Sequence, residues 1–202
     1  MTEKNTQTKN VSKREMRREH LRTLCEGAVS IALAVILNYL KIDVGAQGGS
    51  INFTMVPLVV FALRRGASWG FGASIGYGIL KVALGLGGDA IAWQSIVFDY
   101  VLAYGVCGFA FVGRYVKGKS YAKAIVGCSV ACVLRYLVHF VSGVTIYAEW
   151  MPDNFLGMEM ESVAIYSFLY NGLYMIPTII CALIVAPVLY AALERMLPAK
   201  KI

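Results

Sequence analysis

The stretch AWQSIVFDYVLAYGVCGFAFVG (92–113) runs for 22 residues with a single charge, Asp99. At 1.5 Å per residue a helix of that length covers the ~30 Å of a bilayer's hydrocarbon. Comparable apolar runs lie at 24–40, 51–63, 68–86, 122–142 and 162–193. They predict an all-α membrane protein with six transmembrane helices. Composition agrees: of 202 residues 58% are hydrophobic and 15% charged, with a mean hydropathy of +0.62, whereas soluble domains carry about 25% charged residues. Too little polar surface remains to cover a water-facing globule. A soluble enzyme, a disordered regulator and a secreted disulfide scaffold are excluded, and the length favours one unit.

Sidedness follows from the cations. Seven of the nineteen Lys and Arg precede residue 23, two are Arg64 and Arg65, four lie between Arg114 and Lys123, and three are Arg195, Lys200 and Lys201. All sixteen fall on one side of six spans, which the positive-inside rule makes cytoplasmic, so both termini are expected inside. The net charge of +7 therefore reads as membrane topology and implies no nucleic acid. The opposite loops hold Asp43, Asp89, Glu149, Asp153, Glu159 and Glu161 with only Lys41, an acidic outer face suited to attracting a cation. The organisation predicted is a cytoplasmic basic tail (1–22), a six-helix substrate-binding domain (23–195) and a cytoplasmic C-terminal tail (196–202). The first 22 residues lack the apolar core of a cleaved signal peptide, and Lys13, Arg14, Arg17 and Arg18 recur at a spacing that would rest on anionic lipid headgroups. Run 51–63 covers only about 20 Å as a helix, so it is short or borrows from the preceding GAQGGS. Pro177 and Pro187 are expected to bend the last run or leave its start as a loop.

Two motifs point to chemistry that their surroundings do not support. GRYVKGKS (113–120) fits the phosphate-loop pattern, but that loop needs a buried strand before it, and this stretch leaves a membrane helix; a basic turn is the simpler reading. Cys128, Cys132, Arg135 and His139 share one stripe of the fifth span, yet two thiols and one imidazole leave a tetrahedral metal site a ligand short. No metal, cofactor or disulfide framework is expected.

Polar residues inside the spans carry more weight, because a charge at mid-bilayer costs ~3 kcal/mol or more. Asp99, Arg135, His139 and Asn171 all fall in the outer halves of their spans. Lys81 is expected to snorkel to the outer interface, and Asp99 and Arg135 can pair as a structural bridge. Trp93, Tyr100, Tyr147, Trp150 and Tyr166 crowd the same outer level, as an interfacial belt or as the walls of a receptor. Aromatic faces around one buried carboxylate suit a flat organic cation, at ~0.5–2 kcal/mol per face. Ala28 and Ala32 form a small-residue stripe that permits close helix approach, whereas Gly72 and Gly76 are expected to pack internally.

Together AQGGSINFTMVPLVVFALRRG (46–66), QSIVFDYVLAYGVCGFAFVGR (94–114), LRYLVHFVSG (134–143) and IYSFLYNG (165–172) resemble the thiamine-specific substrate-binding (S) component of energy-coupling factor (ECF) vitamin transporters, over about Glu26 to Tyr190. The resemblance implies six helices, a pocket among the outer ends of helices four to six, and closure by the loop between helices one and two, where Gly45, Gly48 and Gly49 allow a hinge. It implies that Asp99 recognises thiamine with Tyr100 beside it, that His139 and Arg135 are the polar positions of helix five, and that Tyr166 and Asn171 are those of helix six. Tyr147 aligns with an aromatic that stacks on the ligand; Trp150 lies three residues on, and Trp93 is a further candidate ring. Arg135 is read as the holder of Asp99, since a guanidinium repels a cation. The resemblance further implies partners: a transmembrane coupling subunit that docks on the Ala28 and Ala32 stripe, and two ATPase subunits, the chain itself being a transporter subunit without its own ATPase. An S-component for another vitamin, a small autonomous cation carrier, and an intramembrane enzyme using Asp99, Arg135 and His139 are the competing readings.

Overall fold

The computed structural model describes residues 2–44, 49–87 and 92–198, with side chains from Lys13 onward. Gly45 and Gly48 of the expected hinge, Asp89, Lys200 and Lys201 lie outside the described residues. Apart from one short 3₁₀ turn, the described residues form six helical segments: α1 (Thr2–Tyr39), α2 (Met55–Arg65), α3 (Ala67–Ala83), α4 (Trp93–Tyr115), α5 (Ser120–Thr145) and α6 (Val163–Met196). Four of them, α1 from Lys13, α4, α5 and α6, are long and apolar enough to cross a membrane. The other two are shorter, at 11 and 17 residues.

Helix α2 explains its own brevity. Every residue from Met55 to Arg65 is buried, as an all-round apolar helix in the middle of a bundle must be. Around it pack α1, α3, α4, α5 and α6, and Leu58, Val59, Ala62 and Leu63 join Ala34, Ala110, Ala131 and Ala182 in the core. The residues before α2 do not lengthen it. They form a hairpin instead, β1 (Ile42–Asp43) against β2 (Ser50–Ile51), antiparallel with Ile42 opposite Ile51. Asn52, 3% exposed, ties this hairpin to α2: its amide donates to Ser50 O and Oγ, and its carbonyl accepts from Thr54 N–H at 3.1 Å.

Glycines set how closely the helices approach. A Cβ on Gly113 or Gly127 would strike the backbone of the facing helix, at Lys123 O and Ala110 O respectively, so α4 and α5 meet nearly backbone to backbone. Gly72 behaves differently from the internal packing expected of it: it is exposed, and its Cβ would meet nothing within 4 Å. One further expectation changes, that of a loop at the start of the last run, while the tail takes a helical form that fits the spacing of its cations. The polar tail is continuous with the first apolar run, a single helix from Thr2 to Tyr39. The last run is one helix through both Pro177 and Pro187, with no loop at its start; in a membrane bundle the freed carbonyls find partners in neighbouring helices. Between α5 and α6 lie a short 3₁₀ turn (Ala148–Trp150) and a second hairpin, β3 (Asn154–Phe155) with β4 (Met158–Glu159). The GRYVKGKS stretch is the turn from α4 to α5, with Gly118 at φ +129° and a helix, not a strand, before it.

At the end of the bundle away from both hairpins, Arg64 and Arg65 are buried against acids. Glu26 of α1 bridges them, accepting from Arg64 Nε and from Arg65 Nε at 2.7 Å. Arg64 also reaches Glu194 at 3.0 Å and Leu197 O at 2.8 Å, so one cluster ties α1, α2 and α6.

Candidate functional site

Helix α4 is irregular where the chemistry lies. Its middle, Ile96–Leu102, winds as a π-helix, with the N–H of Ala103 donating to Phe98 O five residues back, and Val106–Tyr115 continues as a 3₁₀-helix. Five residues along an α-helix turn the side chain by about 140°; the wider π turn brings i and i+5 back towards one face. Asp99 and Tyr104 thereby line the same cavity, with Tyr100 between them in sequence.

That cavity holds about 100 Å³ and lies where the first hairpin, the start of α4, the end of α5 and the start of α6 converge. From α5 come Arg135, His139, Ser142 and Gly143, followed by Tyr147; from α6 come Tyr166, Ser167, Tyr170, Asn171 and Tyr174; from the first hairpin Gly49, Ser50 and Asn52; from α3 Lys81. Its polar centre is the Asp99 carboxylate. One oxygen is hydrogen-bonded to His139 Nδ1 at 3.0 Å, and the other accepts from Ser142 Oγ at 2.9 Å. Asn171 binds α6 to α5, its amide donating to His139 O at 3.3 Å and to Ser167 O at 2.8 Å while its carbonyl accepts from the Tyr174 hydroxyl. Tyr166, Tyr170 and Tyr174 recur every fourth residue with ring centroids 5.6 and 6.0 Å apart. Phe155 of the second hairpin meets Tyr166 edge-on at 5.2 Å. A Cβ on Gly49 would overlap the Tyr174 ring, so only glycine lets the first hairpin seat there.

The structure brings Asp99, Tyr100, Arg135, His139, Tyr147, Tyr166 and Asn171 to this one cavity. It leaves Trp93 and Trp150 out of the lining, 70% and 53% exposed. Two roles read from sequence are corrected. Asp99 is held by His139 and Ser142, not by Arg135, whose guanidinium lies 4.2 Å over the Tyr104 ring. Lys81 does not snorkel outward. It is 8% exposed, its Nζ donates to the Tyr104 hydroxyl at 3.3 Å, and it lies 5.2 Å from the Tyr100 ring centroid. Ser142, Tyr104, Tyr170 and Tyr174 had no signal in the sequence beyond being polar atoms in apolar helices. Cys128 and Cys132 are buried side by side, Sγ to Sγ 3.9 Å, as free thiols. Among the described residues no three His, Cys, Asp or Glu side chains gather as a metal site. Ala28 and Ala32 are both exposed on α1.

A largely helical membrane protein that encloses a polar cavity walled by tyrosines, beneath two short hairpins, is built to hold a small organic molecule, as the binding unit of a transporter does. The chain belongs to the thiamine transporter family: the family profile described as Thiamine transporter protein (Thia_YuaJ) matches residues 24–198. It is 28% identical over 194 residues to the thiamine transporter ThiT of Bacillus subtilis (strain 168), covering 88% of this chain and 95% of that protein. To the thiamine transporter ThiT of Lacticaseibacillus paracasei it is 27% identical over 197 residues, covering 90% and 93%. Its fold is similar to a solved structure described as "Native-SAD phasing for ThiT from Listeria monocytogenes serovar", with a TM-score of 0.72 over 87% of this chain and 97% of that one, at 23% identity. It is thus a multi-pass integral protein of the bacterial cell membrane and a transporter subunit rather than an enzyme.

Proposed function

We propose that this chain is the thiamine-binding subunit of an ATP-driven ECF-type importer. It spans the membrane six times with both termini in the cytoplasm, and takes thiamine from outside. The buried Asp99 carboxylate, oriented by His139 and Ser142 amid tyrosine rings, is the observation that carries this reading. A lone anion fixed between aromatic faces favours a planar cation over a neutral or anionic solute. The family relatives, named for thiamine transport, supply the identity of that cation.

Orientation has independent support. The cavity lies at the hairpin end of the bundle, whereas Arg64, Arg65, Arg114, Lys117, Lys119 and Arg195 lie at the other. The positive-inside rule makes the second end cytoplasmic and so opens the first to the exterior. In this mechanism Asp99 complements the charge of thiamine, Tyr100, Tyr147 and Tyr166 wall its rings, and Asn171 and His139 hold polar atoms. Arg135 and Lys81 sit against Tyr104 and fix the floor. The first hairpin, seated on Tyr174 through Gly49, closes the cavity. Docking through the Ala28 and Ala32 face onto a separate membrane coupling subunit with two ATPases then drives release inside. No bond in the vitamin is broken, and the only chemical energy used is the partners' ATP.

The test is direct binding to the purified chain. Wild type is expected to retain thiamine tightly without any partner, Asp99→Asn to lose it, and Tyr147→Ala to hold it measurably more weakly. Wild-type affinity in both variants would overturn the assignment of this cavity. Thiamine uptake by vesicles holding this chain alone would overturn the dependence on ATPase partners.

A further inference from the structure

The second hairpin reaches back to the walls of the cavity. From Asp153 to Glu159 every residue is exposed except Phe155, which is half-buried. Side chains alternate across short strands, so the Asn154–Glu159 pair takes the solvent face and leaves Phe155 and Met158 on the other. The turn joining them, Leu156 and Gly157, has both residues at positive φ, +53° and +78°, the conformation whose twist suits a two-residue hairpin. Leucine enters that region at a cost that glycine or asparagine avoids, and the sequence bears it at the turn that follows Phe155. Met160, 9% exposed, closes the base of the hairpin with its N–H on Asp153 O at 2.9 Å.

Phe155 begins a continuous file of rings. It meets Tyr166 edge-on, at 5.2 Å and 90°, and Tyr170 at 6.0 Å. Tyr166 lies tilted against Tyr170, Tyr170 meets Tyr174, and Tyr174 meets the imidazole of His139 at 6.1 Å. His139 in turn holds the Asp99 carboxylate. At the inner end a hydrogen bond fixes the file, the Tyr174 hydroxyl donating to the Asn171 carbonyl. At the outer end Phe155 packs on two tyrosines that line the cavity, and it does not line the cavity itself. Centroid separations of this size at steep angles are those of attractive aromatic pairs.

We propose that Phe155 is a positioning residue for the bound vitamin: it docks the second hairpin on Tyr166 and Tyr170, fixes the planes of those rings, and so sets how slowly thiamine leaves. The inference rests on the thiamine reading above. An aromatic contact depends on the ring's orientation, and a wall ordered before the ligand arrives need not be ordered by it, which lowers the cost of binding. Differences of this kind within one site appear mostly in the dissociation rate. Phe155 stands behind the tyrosines rather than in the lining, so its loss should leave the association rate and the number of sites as they are.

Radiolabelled thiamine, bound to the full chain in detergent and chased with excess unlabelled vitamin, tests this. Phe155→Ala is expected to release the label about three- to tenfold faster than wild type, with the association rate and the sites per molecule unchanged. A merely structural role would lower the number of sites and leave the release rate of those remaining as it was. Phe155→Leu, which keeps apolar bulk without a ring, is expected to release as fast as Phe155→Ala, and Phe155→Tyr, which keeps the ring, as slowly as wild type. Met158→Ala, at the exposed cross-strand neighbour, is expected to behave as wild type. Wild-type release from Phe155→Ala or Phe155→Leu, or fast release from Phe155→Tyr or Met158→Ala, would overturn this inference and leave the thiamine reading in place. A wild-type chain that retains no thiamine would overturn both.

Discussion

Asp99 and His139, forty residues apart in the chain, meet at 3.0 Å across the α4–α5 contact, and Ser142, one turn beyond His139, takes the other carboxylate oxygen at 2.9 Å. Two contacts from one helix thus fix the orientation of an anion carried by another. Removing the charge in Asp99→Asn eliminates the attraction for a cation and turns one acceptor into a donor facing His139 or Ser142. Losing one member of a desolvated charge pair costs about 2–5 kcal/mol, so thiamine affinity should fall by roughly thirtyfold or more. Ser142→Ala removes one hydrogen bond to a charged group, about 1.5–3 kcal/mol. A milder loss, about tenfold to a hundredfold, is expected by titration calorimetry. A larger effect from Ser142→Ala than from Asp99→Asn would mean that the carboxylate is not the recognition element.

The aromatic walls can be ranked in the same way. Tyr147 lines the cavity, whereas Trp150 and Trp93 do not. A ring stacked on a cation contributes about 0.5–2 kcal/mol. Tyr147→Ala should therefore weaken thiamine binding by about two- to thirtyfold, while Trp150→Ala and Trp93→Ala should each stay within about threefold of wild type. Quenching of intrinsic fluorescence by thiamine, followed in each variant, separates the three. A Trp150→Ala loss exceeding that of Tyr147→Ala would move the stacking position to the 3₁₀ turn.

How much of this was legible in the sequence depends on how locally each feature is encoded. Asp99, Arg135, His139 and Asn171 stand out because an ionisable or amide group in an apolar run is costly, and all four do line the cavity. What their side chains touch was not legible. Arg135 turns onto Tyr104 and Lys81 points inward because α4 winds as a π-helix through 96–102, and a pattern read with 3.6 residues per turn puts Tyr104 on the wrong face. Ser142 and Tyr174 were invisible for a different reason: hydroxyls are tolerated in membrane helices, so nothing marks the few that meet a carboxylate or an amide. The short second helix was legible as a problem and not as its solution, since only the packed bundle reveals that Met55–Arg65 is buried on every side.

The π segment rests on one glycine. A Cβ on Gly78 of α3 would fall on the Tyr100 carbonyl, 3.0 Å from its carbon and 3.1 Å from Val101 Cα, and backbone cannot rotate aside as a side chain can. Gly78→Ala must push α3 away from α4 at the residues that carry the site. Overpacking of this kind costs about 1–3 kcal/mol, and the displacement of Asp99 and Tyr100 should also weaken thiamine binding. Thermal unfolding and affinity are expected to fall together. Gly72→Ala on the same helix, with open space beside it, should change neither. Equal behaviour of the two variants would show that the approach of α3 to α4 does not hold the π segment in place.

Stability and binding should separate at the opposite end. The Arg64 and Arg65 side chains are each 2% exposed, and Glu26, 23% exposed, is the acid they share. Glu26→Gln leaves both guanidiniums buried and points an amide N–H₂ at one of them. Breaking a fully buried pair costs about 3–5 kcal/mol; with Glu26 partly open to water, about 2–3 kcal/mol is expected. Glu194→Gln should cost less, because Glu194 is 30% exposed and Arg64 keeps both Glu26 and the Leu197 carbonyl. Neither residue lines the Asp99 cavity, so both variants should bind thiamine as wild type does once folded. Melting temperatures in detergent should therefore fall in the order wild type, Glu194→Gln, Glu26→Gln, with affinity unchanged across the series. The reverse order would identify the end of α6, rather than α1, as the element that Arg64 principally secures.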